Sequence, residues 1–297
     1  MLDLRDLDCL VALSRHRHFA KAAQHCGLSQ PAFSMRIRHL EERLNTRIVK
    51  RGNRFLGLTA EGEAILEHAR DILDRVRTLE EETLAAKGEV VGSLVLGVIP
   101  TAAAFAGFLA SRLNRTHPGL RIRIDTTNSL AIQQGVDSGD FDAGITYAEG
   151  VASDMLDSQP LYDEDYWLMV PESLVPEAAD TITWAQAANL PLILLDPEMQ
   201  NRRIVDLHFR EAGALPRVVA ETNGFTAAVV MAVQGMGATV IPRVLMDSLA
   251  HLDGAVYLPL TEPRVAKSVA LVTPRRESAI PVVEALKRVA RTVSSPN

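Results

Sequence analysis

The chain has 297 residues, of which 47% are hydrophobic and 23% charged, with a net charge of −6 at pH 7. This composition is typical of a folded protein of two or three domains and excludes a disordered chain. No apolar run reaches the roughly 18 residues that span a bilayer, and the first residues carry acids where a signal peptide has bases. Two cysteines exclude a disulfide framework. We therefore expect a cytoplasmic protein with no metal, cofactor or membrane partner.

The charge is unevenly distributed along the chain. Residues 1–60 contain eleven lysines and arginines but five acids, a net charge of +6, and the remaining residues carry −12. A basic first part on an acidic body indicates a polyanion, such as nucleic acid, as partner of the first part alone. A solvated charged surface would explain the same asymmetry, so charge alone does not decide between the two.

Residues 1–58 have the pattern of a helix-turn-helix. Apolar residues at helical spacing predict a first helix and, over Phe19–Cys26, a second one that ends at Gly27. A third helix begins with Ser29 as its N-cap and Pro31 in its first turn. Its buried stripe repeats at steps of four, three and four residues (Phe33, Ile37, Leu40, Leu44). This third helix would be the recognition helix that enters the major groove.

The N-terminal end of the recognition helix supplies the expected DNA contacts. A glutamine can form two hydrogen bonds to adenine, and an arginine can reach guanine or phosphate. Residues 48–58 read as two short strands around Gly52-Asn53, a hairpin whose basic tip would lie on the phosphate backbone as a wing. The predicted DNA-binding residues are Ser29, Gln30, Pro31, Ser34, Met35, Arg36, Arg38, Lys50, Arg51 and Arg54.

Residues 59–88 predict one long linker helix with Thr59 at its start. Apolar or small residues then repeat every three or four positions in an unbroken heptad seam (Ile65, Ala69, Ile72, Val76, Leu79, Thr83, Ala86), and the flanking positions are charged. A coiled-coil dimer explains this pattern and would place two DNA-binding heads on two half-sites of a duplex. An amphipathic helix packed on its own domain is the alternative.

Residues 90–297 alternate strands and helices, which predicts parallel α/β units. The expected strands are 91–99, 120–126, 141–146, 166–170, 192–195, 218–221, 239–241 and 266–272, and the expected helices are 100–115, 128–138, 201–212, 225–234 and 280–293. The predicted fold class is α/β with an N-terminal all-α winged helix-turn-helix and a long linker helix. The effector domain would have two lobes with a cleft between them, lobe I from 91–161 and 266–297, and lobe II from 162–265.

The expected ligand site lies where strands end and the next helices begin. Ligands of open α/β folds bind there, and helix N-termini favour anions. The candidate effector-binding residues are Thr101, Asn128, Ser129, Thr146, Asn201, Arg202, Arg203, Asn223 and Phe225. These groups suit a small anion or carboxylate, with Arg202 or Arg203 as a bidentate clamp. Helix capping alone would also explain Thr101, Ser129 and Asn201.

Several motifs resemble those of the LysR-type transcriptional regulators. The N-terminal motifs are Phe19–Ala23, Leu28–Ser34, Ile37–Glu41 and Leu58–Gly62, and those of the body are Gly97-x-x-Pro100-Thr101, Gly139–Ile145 and Val233–Pro242. Two positions depart from the family pattern. Met35 stands where arginine is frequent, which puts that base contact in doubt, and Ile48-Val49 stands where Leu-Phe is usual.

The resemblance implies a winged helix-turn-helix on promoter DNA, a linker-helix dimer and a homotetramer. It also implies a two-lobed effector domain like periplasmic binding proteins, which responds to a small molecule and controls nearby genes, with RNA polymerase as a further candidate partner. The segments Met199–Ile204 and Glu221–Asn223 resemble members that we associate with small anions or small-carbon metabolites.

Two other functions, an enzyme and a periplasmic solute receptor, are alternatives to a regulator, and a thiol redox switch is an alternative kind of regulator. The eight histidines show no metal-ligand spacing, and no nucleophile elbow, phosphate loop or paired-carboxylate motif indicates an enzyme. The basic first part and the missing signal peptide argue against a periplasmic solute receptor. A thiol switch in the sensing body would need cysteines there, and no cysteine follows Cys26. The effector, the operator, the choice between dimer and tetramer, and the sign of regulation stay open.

Overall fold

The structure is a computed structural model that describes residues 2–50, 55–85, 90–151, 156–175, 180–249, 252–275 and 280–293. The chain forms two compact units, an N-terminal domain made mainly of Met1–Val91 and a larger effector domain that begins at Gly92. Each of the two has its own hydrophobic core.

The N-terminal domain is helical. Its helices are α1 (Leu4–His16), α2 (Phe19–His25), α3 (Gln30–Leu44) and α4 (Ala60–Ala85). Asp3 caps α1 through a side-chain oxygen that accepts from the Arg5 amide, and Ser29 caps α3 by accepting from the Ala32 amide. Gly27 has φ +66°, the left-handed conformation that the tight turn between α2 and α3 requires. The predicted helix-turn-helix is therefore present.

Helices α1 to α3 pack around one core. Leu10, Leu13, Phe33 and Leu40 are fully buried, and the rings of Phe19 and Phe33 meet edge to face with centroids 6.2 Å apart. Burial of each such side chain contributes about 1.5–3 kcal/mol relative to leaving it exposed. The stripe predicted for α3 is thus its packing face, which leaves the opposite face free of core contacts.

The wing begins directly after α3. Val49 pairs with Leu58 in an antiparallel bridge, as the hairpin prediction requires. The carboxylate of Glu41 accepts hydrogen bonds from the amides of Ile48 and Val49 at 2.9 and 3.1 Å, so that α3 holds the start of the wing in place. The tip, residues 51–54, lies outside the described residues.

Helix α4 divides the predicted heptad seam into two parts. Ala69 is buried in the core of the N-terminal domain, and Ile65 packs against the same core. Ile72 and Leu79, by contrast, are 40% and 64% exposed. The first part of the seam therefore packs on its own domain, and the second part remains exposed and available for contact with another molecule. Ala86 lies outside the described residues.

The effector domain contains one connected mixed sheet. Its strands are β1 (Gly92–Val98), β2 (Leu120–Thr126), β3 (Ala143–Tyr147), β4 (Leu156–Pro171), β5 (Ile182–Thr183), β6 (Pro191–Leu195), β7 (Arg217–Thr222), β8 (Ala238–Pro242), β9 (Ala255–Thr261) and β10 (Ala266–Pro274). Its helices are α5 (Ala103–Thr116), α6 (Ser129–Ser138), α7 (Trp184–Ala187), α8 (Gln200–Glu211), α9 (Phe225–Val233), α10 (Arg243–Leu249) and α11 (Pro281–Val293). Short 3₁₀ turns, Pro100–Ala102 and Glu172–Leu174, precede α5 and follow β4.

The strand order is β2-β1-β3-β10-β4-β8-β6-β7, with β9 paired to β4 and β5 paired to β9. The β1–β2, β1–β3, β6–β7 and β6–β8 pairs are parallel, as predicted, whereas β10 and β4 pair antiparallel with their neighbours. This order defines two lobes, one built on β1, β2, β3 and β10 and the other on β5 to β9.

Strand β4 belongs to both lobes. Its first part, up to Asp165, pairs with β10, and from Tyr166 onward it pairs with β8 and β9. The chain therefore passes from one lobe to the other between Asp165 and Tyr166. The sequence had predicted that lobe II begins at residue 162. The strand begins at Leu156, whereas the sequence predicted its start at Tyr166. The acidic residues and Pro160 in the first part of β4 are residue types that are depleted in strands.

Close packing between β1 and α6 requires a glycine on each of these two elements. A side chain at Gly97 would overlap the ring of Phe141, and a side chain at Gly135 on α6 would overlap the same ring. This contact brings α6 against β1, and thus fixes where α6 begins relative to the end of β1.

Candidate DNA interface and effector site

The start of α3 exposes the predicted base-contacting residues. Gln30, Pro31 and Arg38 are exposed, Ser34 is half-buried, and Met35 is 68% exposed. With about two thirds of its surface exposed, Met35 contributes little to the core, so this face is open to another molecule.

Arg36 has a different environment from the other predicted DNA contacts. Its guanidinium donates to Asp6 at 2.7 Å and to Asp3 at 3.3 Å, both on the α1 side. The Asp6 carboxylate is almost fully buried, and His39 lies 3.5 Å from its second oxygen. These contacts commit Arg36 to the packing of α3 against α1, a role that helical periodicity did not reveal.

The predicted phosphate contacts of the wing are described only in part. Lys50 is exposed, and its amide donates to the carbonyl of Gly57 at 3.0 Å within the hairpin. Arg51 and Arg54 lie outside the described residues.

A small cleft lies between the two lobes of the effector domain, and its cavity of about 10 Å³ has room for about one water molecule. The 3₁₀ turn before α5, the start of α6 and the end of β3 form one side of it, and the start of α8 forms the other. Its lining residues are Ile99, Pro100, Thr101, Asn128, Ser129, Tyr147, Met199, Gln200 and Asn201. The fold thus brings together four predicted effector residues, namely Thr101, Asn128, Ser129 and Asn201.

Two buried polar groups at the cleft form no hydrogen bond of good geometry within the chain, although the second of them lies near the Tyr147 hydroxyl. They are the hydroxyl of Ser129, on a residue that is 7% exposed, and the amide nitrogen of Asn201, on one that is 5% exposed. Neither residue is a cap. Asn128 caps α6 by accepting from the Ala131 amide at 2.9 Å, and Asn201 lies inside the first turn of α8. Buried polar groups without partners are costly, so these two are groups that a ligand or water would satisfy.

A buried network extends from the cleft into the sheet. The hydroxyl of Tyr147 donates to Glu164 at 2.9 Å and lies 3.4 Å from the hydroxyl of Thr101. Burial raises the pKa of Tyr147 well above its usual value, and the nearby Glu164 raises it further. The hydroxyl therefore keeps its proton and remains a donor.

Sequence reasoning missed Tyr147, Gln200 and Glu164. Tyr147 and Gln200 each lie one residue outside a predicted element, so slightly longer elements would have included them. Glu164 lies in the part of β4 that the sequence did not indicate, and no pattern signalled it.

The other predicted effector residues do not line this cleft. The guanidinium of Arg202 is bound by Asp206, Glu221 and the carbonyl of Leu195 at 2.7–2.9 Å, so it is engaged within its own lobe. Thr146 is buried within β3, and Phe225 is buried in the core of its lobe. Arg203 and Asn223 are exposed.

Both thiols lie in the N-terminal domain. Cys9 is buried and Cys26 half-buried. Burial raises the pKa of Cys9 to about 12 and raises that of Cys26 as well. A high pKa leaves little thiolate, the form that reacts with oxidants and metals.

Within the described part of the chain, no group of three or more histidine, cysteine or acidic side chains is arranged to hold a metal ion. Among the helices that the structure describes, none has both the length and the apolarity needed to cross a membrane.

A winged helix-turn-helix followed by a two-lobed ligand domain defines a class of ligand-responsive DNA-binding proteins. Two family models match the chain. One is the bacterial regulatory helix-turn-helix protein of the lysR family, over residues 4–63, and the other is the LysR substrate binding domain, over residues 87–295. The chain belongs to the LysR family. It is therefore a transcriptional regulator with a DNA-binding and an effector-binding domain, and not an enzyme.

Curated relatives span nearly the whole chain. The transcriptional dual regulator OxyR of Escherichia coli is 29% identical over 273 residues, 91% of this chain and 89% of the relative. A probable hydrogen peroxide-inducible genes activator of Streptomyces viridosporus is 30% identical over 272 residues, 90% and 86% of the two chains. An activation protein for SDS degradation from Pseudomonas is 43% identical over 133 residues, 44% of each chain.

Solved structures have the same fold. Full-length OxyR from Pseudomonas aeruginosa has a TM-score of 0.74 and 24% identity, covering 99% of this chain and 95% of that one. The regulator CbnR in complex with its target DNA has a TM-score of 0.64 and 21% identity, covering 99% and 100%.

Proposed function

We propose that this regulator reads promoter DNA with the exposed start of α3, and that a small anion or carboxylate in the cleft controls it. The observation that carries the effector site is the pair of unpartnered polar groups, on Ser129 and Asn201, at the N-termini of two helices that face one cleft. Helix N-termini offer free amide groups and the positive end of a dipole, which suit a negatively charged ligand.

The proposed DNA contacts follow from exposure. Most of the predicted residues that the structure describes are exposed or half-buried: Ser29, Gln30, Pro31, Ser34, Met35, Arg38 and Lys50. Arg36 is left out because its guanidinium is occupied by two aspartates. Arg51 and Arg54 remain predicted phosphate contacts on sequence grounds alone.

The effector would be held without an arginine clamp. The lining residues of the cleft contain hydroxyl, amide and backbone groups but no lysine or arginine. An anion would therefore be bound by neutral donor groups. The fold already orients these groups, so binding requires little rearrangement of them. Because the cavity holds about one water molecule, only a ligand with few atoms fits, and its binding would have to widen the cleft.

A thermal-shift experiment on the full chain tests the effector site. Acetate, formate, oxalate and sulfate should raise the melting temperature of the wild type, because a ligand of the folded state stabilises it by mass action. Ser129→Ala and Asn201→Ala should lose most of that rise. Asn223→Ala, an exposed asparagine of the same domain, is the matched control and should keep it. Equal shifts in all variants would place the site elsewhere.

We also propose that two copies meet along the exposed part of the α4 seam. Ile72 and Leu79 are exposed apolar residues on one helix, and such residues are seldom left in water in a stripe. A homotetramer would need a second contact between effector domains. Promoter binding implies a cytoplasmic location and RNA polymerase as a further partner.

Light scattering tests the seam. Ile72→Glu would bring two like charges together in the dimer and should halve the mass or weaken DNA binding. Arg75→Glu adds an acid to an exposed charged position of the same helix and is the control. If both variants behave as the wild type does, the seam does not hold a dimer.

Peroxide sensing is a second candidate, suggested by the names of the relatives. Thiol-based sensing requires an accessible cysteine of low pKa. This chain has two cysteines, both in the N-terminal domain, and burial raises the pKa of each. If peroxide nevertheless controls the protein, replacement of both cysteines by serine should leave the response intact.

A further inference from the structure

A carboxyl group lies buried where the two lobes join. Glu164 is 1% exposed and lies on β4, one residue before Asp165, where that strand leaves β10. The tyrosines two positions away on either side, Tyr162 and Tyr166, are also buried. Burial of an ionised carboxyl without a counter-charge is unfavourable, so the surroundings of Glu164 decide whether it is ionised.

A hydrogen bond to Tyr147 connects Glu164 to the cleft. Its Oε1 accepts from the hydroxyl of Tyr147 at 2.9 Å, and Tyr147 in turn lines the cleft beside Thr101. Its second oxygen, Oε2, forms no hydrogen bond of good geometry, although the hydroxyls of Thr101 and Tyr166 lie near the carboxyl. The carboxyl is therefore separated from a bound ligand by little more than the Tyr147 hydroxyl.

No cation within the described residues is bonded to this carboxyl. Lys267, opposite Glu164 in the register of β10, binds both oxygens of Glu149 at 3.0 Å. Arg202 on α8 is held by its own acidic partners. A positive charge that would keep Glu164 ionised is therefore missing from its bonded surroundings.

The remaining neighbours are neutral or point away. Asp163 is exposed and Asp165 lies 3.5 Å from Arg264, as expected for alternate positions of a strand. The side chains that face the carboxyl are uncharged, namely Thr101, Tyr147 and Tyr166, with Tyr162 nearby. Burial in this setting raises the pKa of Glu164 to about 7, and the bond from Tyr147 opposes that rise.

We propose that Glu164 sets the charge of the effector cleft, so that an anion is bound together with a proton on Glu164. This inference rests on the proposed effector site and specifies its regulation. With the carboxyl neutral, the helix N-termini leave the cleft attractive to an anion. With the carboxyl ionised, two negative charges would share a poorly screened space, which is unfavourable.

Linkage gives the expected pH dependence. Below about pH 7 the proton is already present, and the affinity for an anion does not change with pH. Above it, each binding event takes up one proton, so the affinity falls by up to about tenfold per pH unit. A neutral ligand of the same shape takes up no proton, and its affinity stays constant.

Calorimetry of the full-length protein with acetate and its neutral analogue acetamide tests this coupling. Titrations at pH 6, 7, 8 and 8.5 in buffers of different ionisation enthalpy report both the affinity and the protons taken up. Wild-type protein should bind acetate several-fold more weakly at pH 8.5 than at pH 6. In Glu164→Gln the acetate affinity should be independent of pH. Glu172→Gln removes an exposed carboxyl just after the same strand and should behave as the wild type does.

A second variant addresses the connection to the cleft. Tyr147→Phe removes the largest of three hydrogen bonds, from Tyr147, Thr101 and Tyr166, that lower the pKa of Glu164. The pH above which acetate affinity falls should then move upward. In Glu164→Gln the affinity should not fall with pH, so there is no such break. A merely structural role of Tyr147 would change the affinity without moving the break.

Two results overturn the coupling in different ways. Acetate binding in the wild type that is equally strong at pH 6 and 8.5 refutes the role of Glu164 and leaves the anion site in place. Failure of acetate to bind at pH 6 in every variant refutes the anion site itself, and the coupling falls with it.

Discussion

In the N-terminal domain the polar residues proposed to contact DNA lie on the surface of α3, whereas in the effector domain the polar residues at the cleft lie inside the fold. Gln30 and Arg38 are exposed, but Ser129, Asn201 and Glu164 are more than nine-tenths buried. Surface residues can be exchanged without disturbing a core. Buried polar residues affect stability and ligand binding together, so the two regions should respond differently to the same kind of substitution.

The largest effect on stability is expected at Glu164. Its pKa is raised from 4.5 to about 7, so the folded state holds the proton more firmly than the unfolded state does. The stabilisation that this provides is complete below pH 4.5 and is lost as the pH rises to 7, an amount of up to about 3 kcal/mol. Glutamine is neutral at every pH and avoids that loss. Glu164→Gln should therefore be more stable than the wild type at pH 8 and close to it at pH 4.5.

Urea unfolding at both pH values measures this difference. Glu172→Gln, the exposed control, should show none. If the difference between Glu164→Gln and the wild type is the same at pH 4.5 and pH 8, the pKa of this carboxyl is the same in the folded and the unfolded protein, and burial does not raise it.

Arg36 is the exception within the N-terminal domain. Arg36→Gln would leave the buried carboxylate of Asp6 without its bond at 2.7 Å and should lower the free energy of unfolding by about 1–3 kcal/mol. Arg38→Gln, an exposed residue on the same helix, should change stability by less than about 0.5 kcal/mol and weaken DNA binding. The reverse ranking would mean that Arg36, not Arg38, faces the duplex.

Gln30 should affect recognition without affecting stability. Gln30→Ala is expected to lose about 1–3 kcal/mol of discrimination at one base pair, and its free energy of unfolding should not change measurably. Competition between cognate and scrambled duplexes measures the discrimination. Lys50→Ala should instead weaken both duplexes alike and reduce the salt dependence. Equal behaviour of the two variants would argue against base reading by Gln30.

The smallest effect concerns neighbouring residues at the start of α6. Asn128→Ala removes a cap and should cost about 1 kcal/mol. Ser129→Ala removes a hydroxyl that bonds to nothing in the chain and should cost less than about 0.5 kcal/mol, or even stabilise the free protein. Chemical denaturation without ligand compares them. A larger loss for Ser129→Ala would show that its hydroxyl has a structural partner.

The sequence alone determined the local parts of this protein. Helical periodicity and capping residues identified the helix-turn-helix, because burial of a helix face repeats every three to four residues wherever the helix packs. Strand and helix alternation identified the two-lobed body. The rule that ligands bind where strands end located Thr101, Asn128, Ser129 and Asn201, which do meet in one cleft.

The tertiary structure alone decided which side chains meet across the sheet. Tyr147 and Glu164 are 17 residues apart and share a hydrogen bond because β10 lies between β3 and β4. The sequence likewise predicted Arg36 as a DNA contact and Arg202 as an effector contact. In the fold, Arg36 is paired with Asp6 and Arg202 with Glu221, acids that belong to other elements. Strand order and the partners of a charged group depend on contacts between distant segments, and those contacts leave no periodic trace in the sequence.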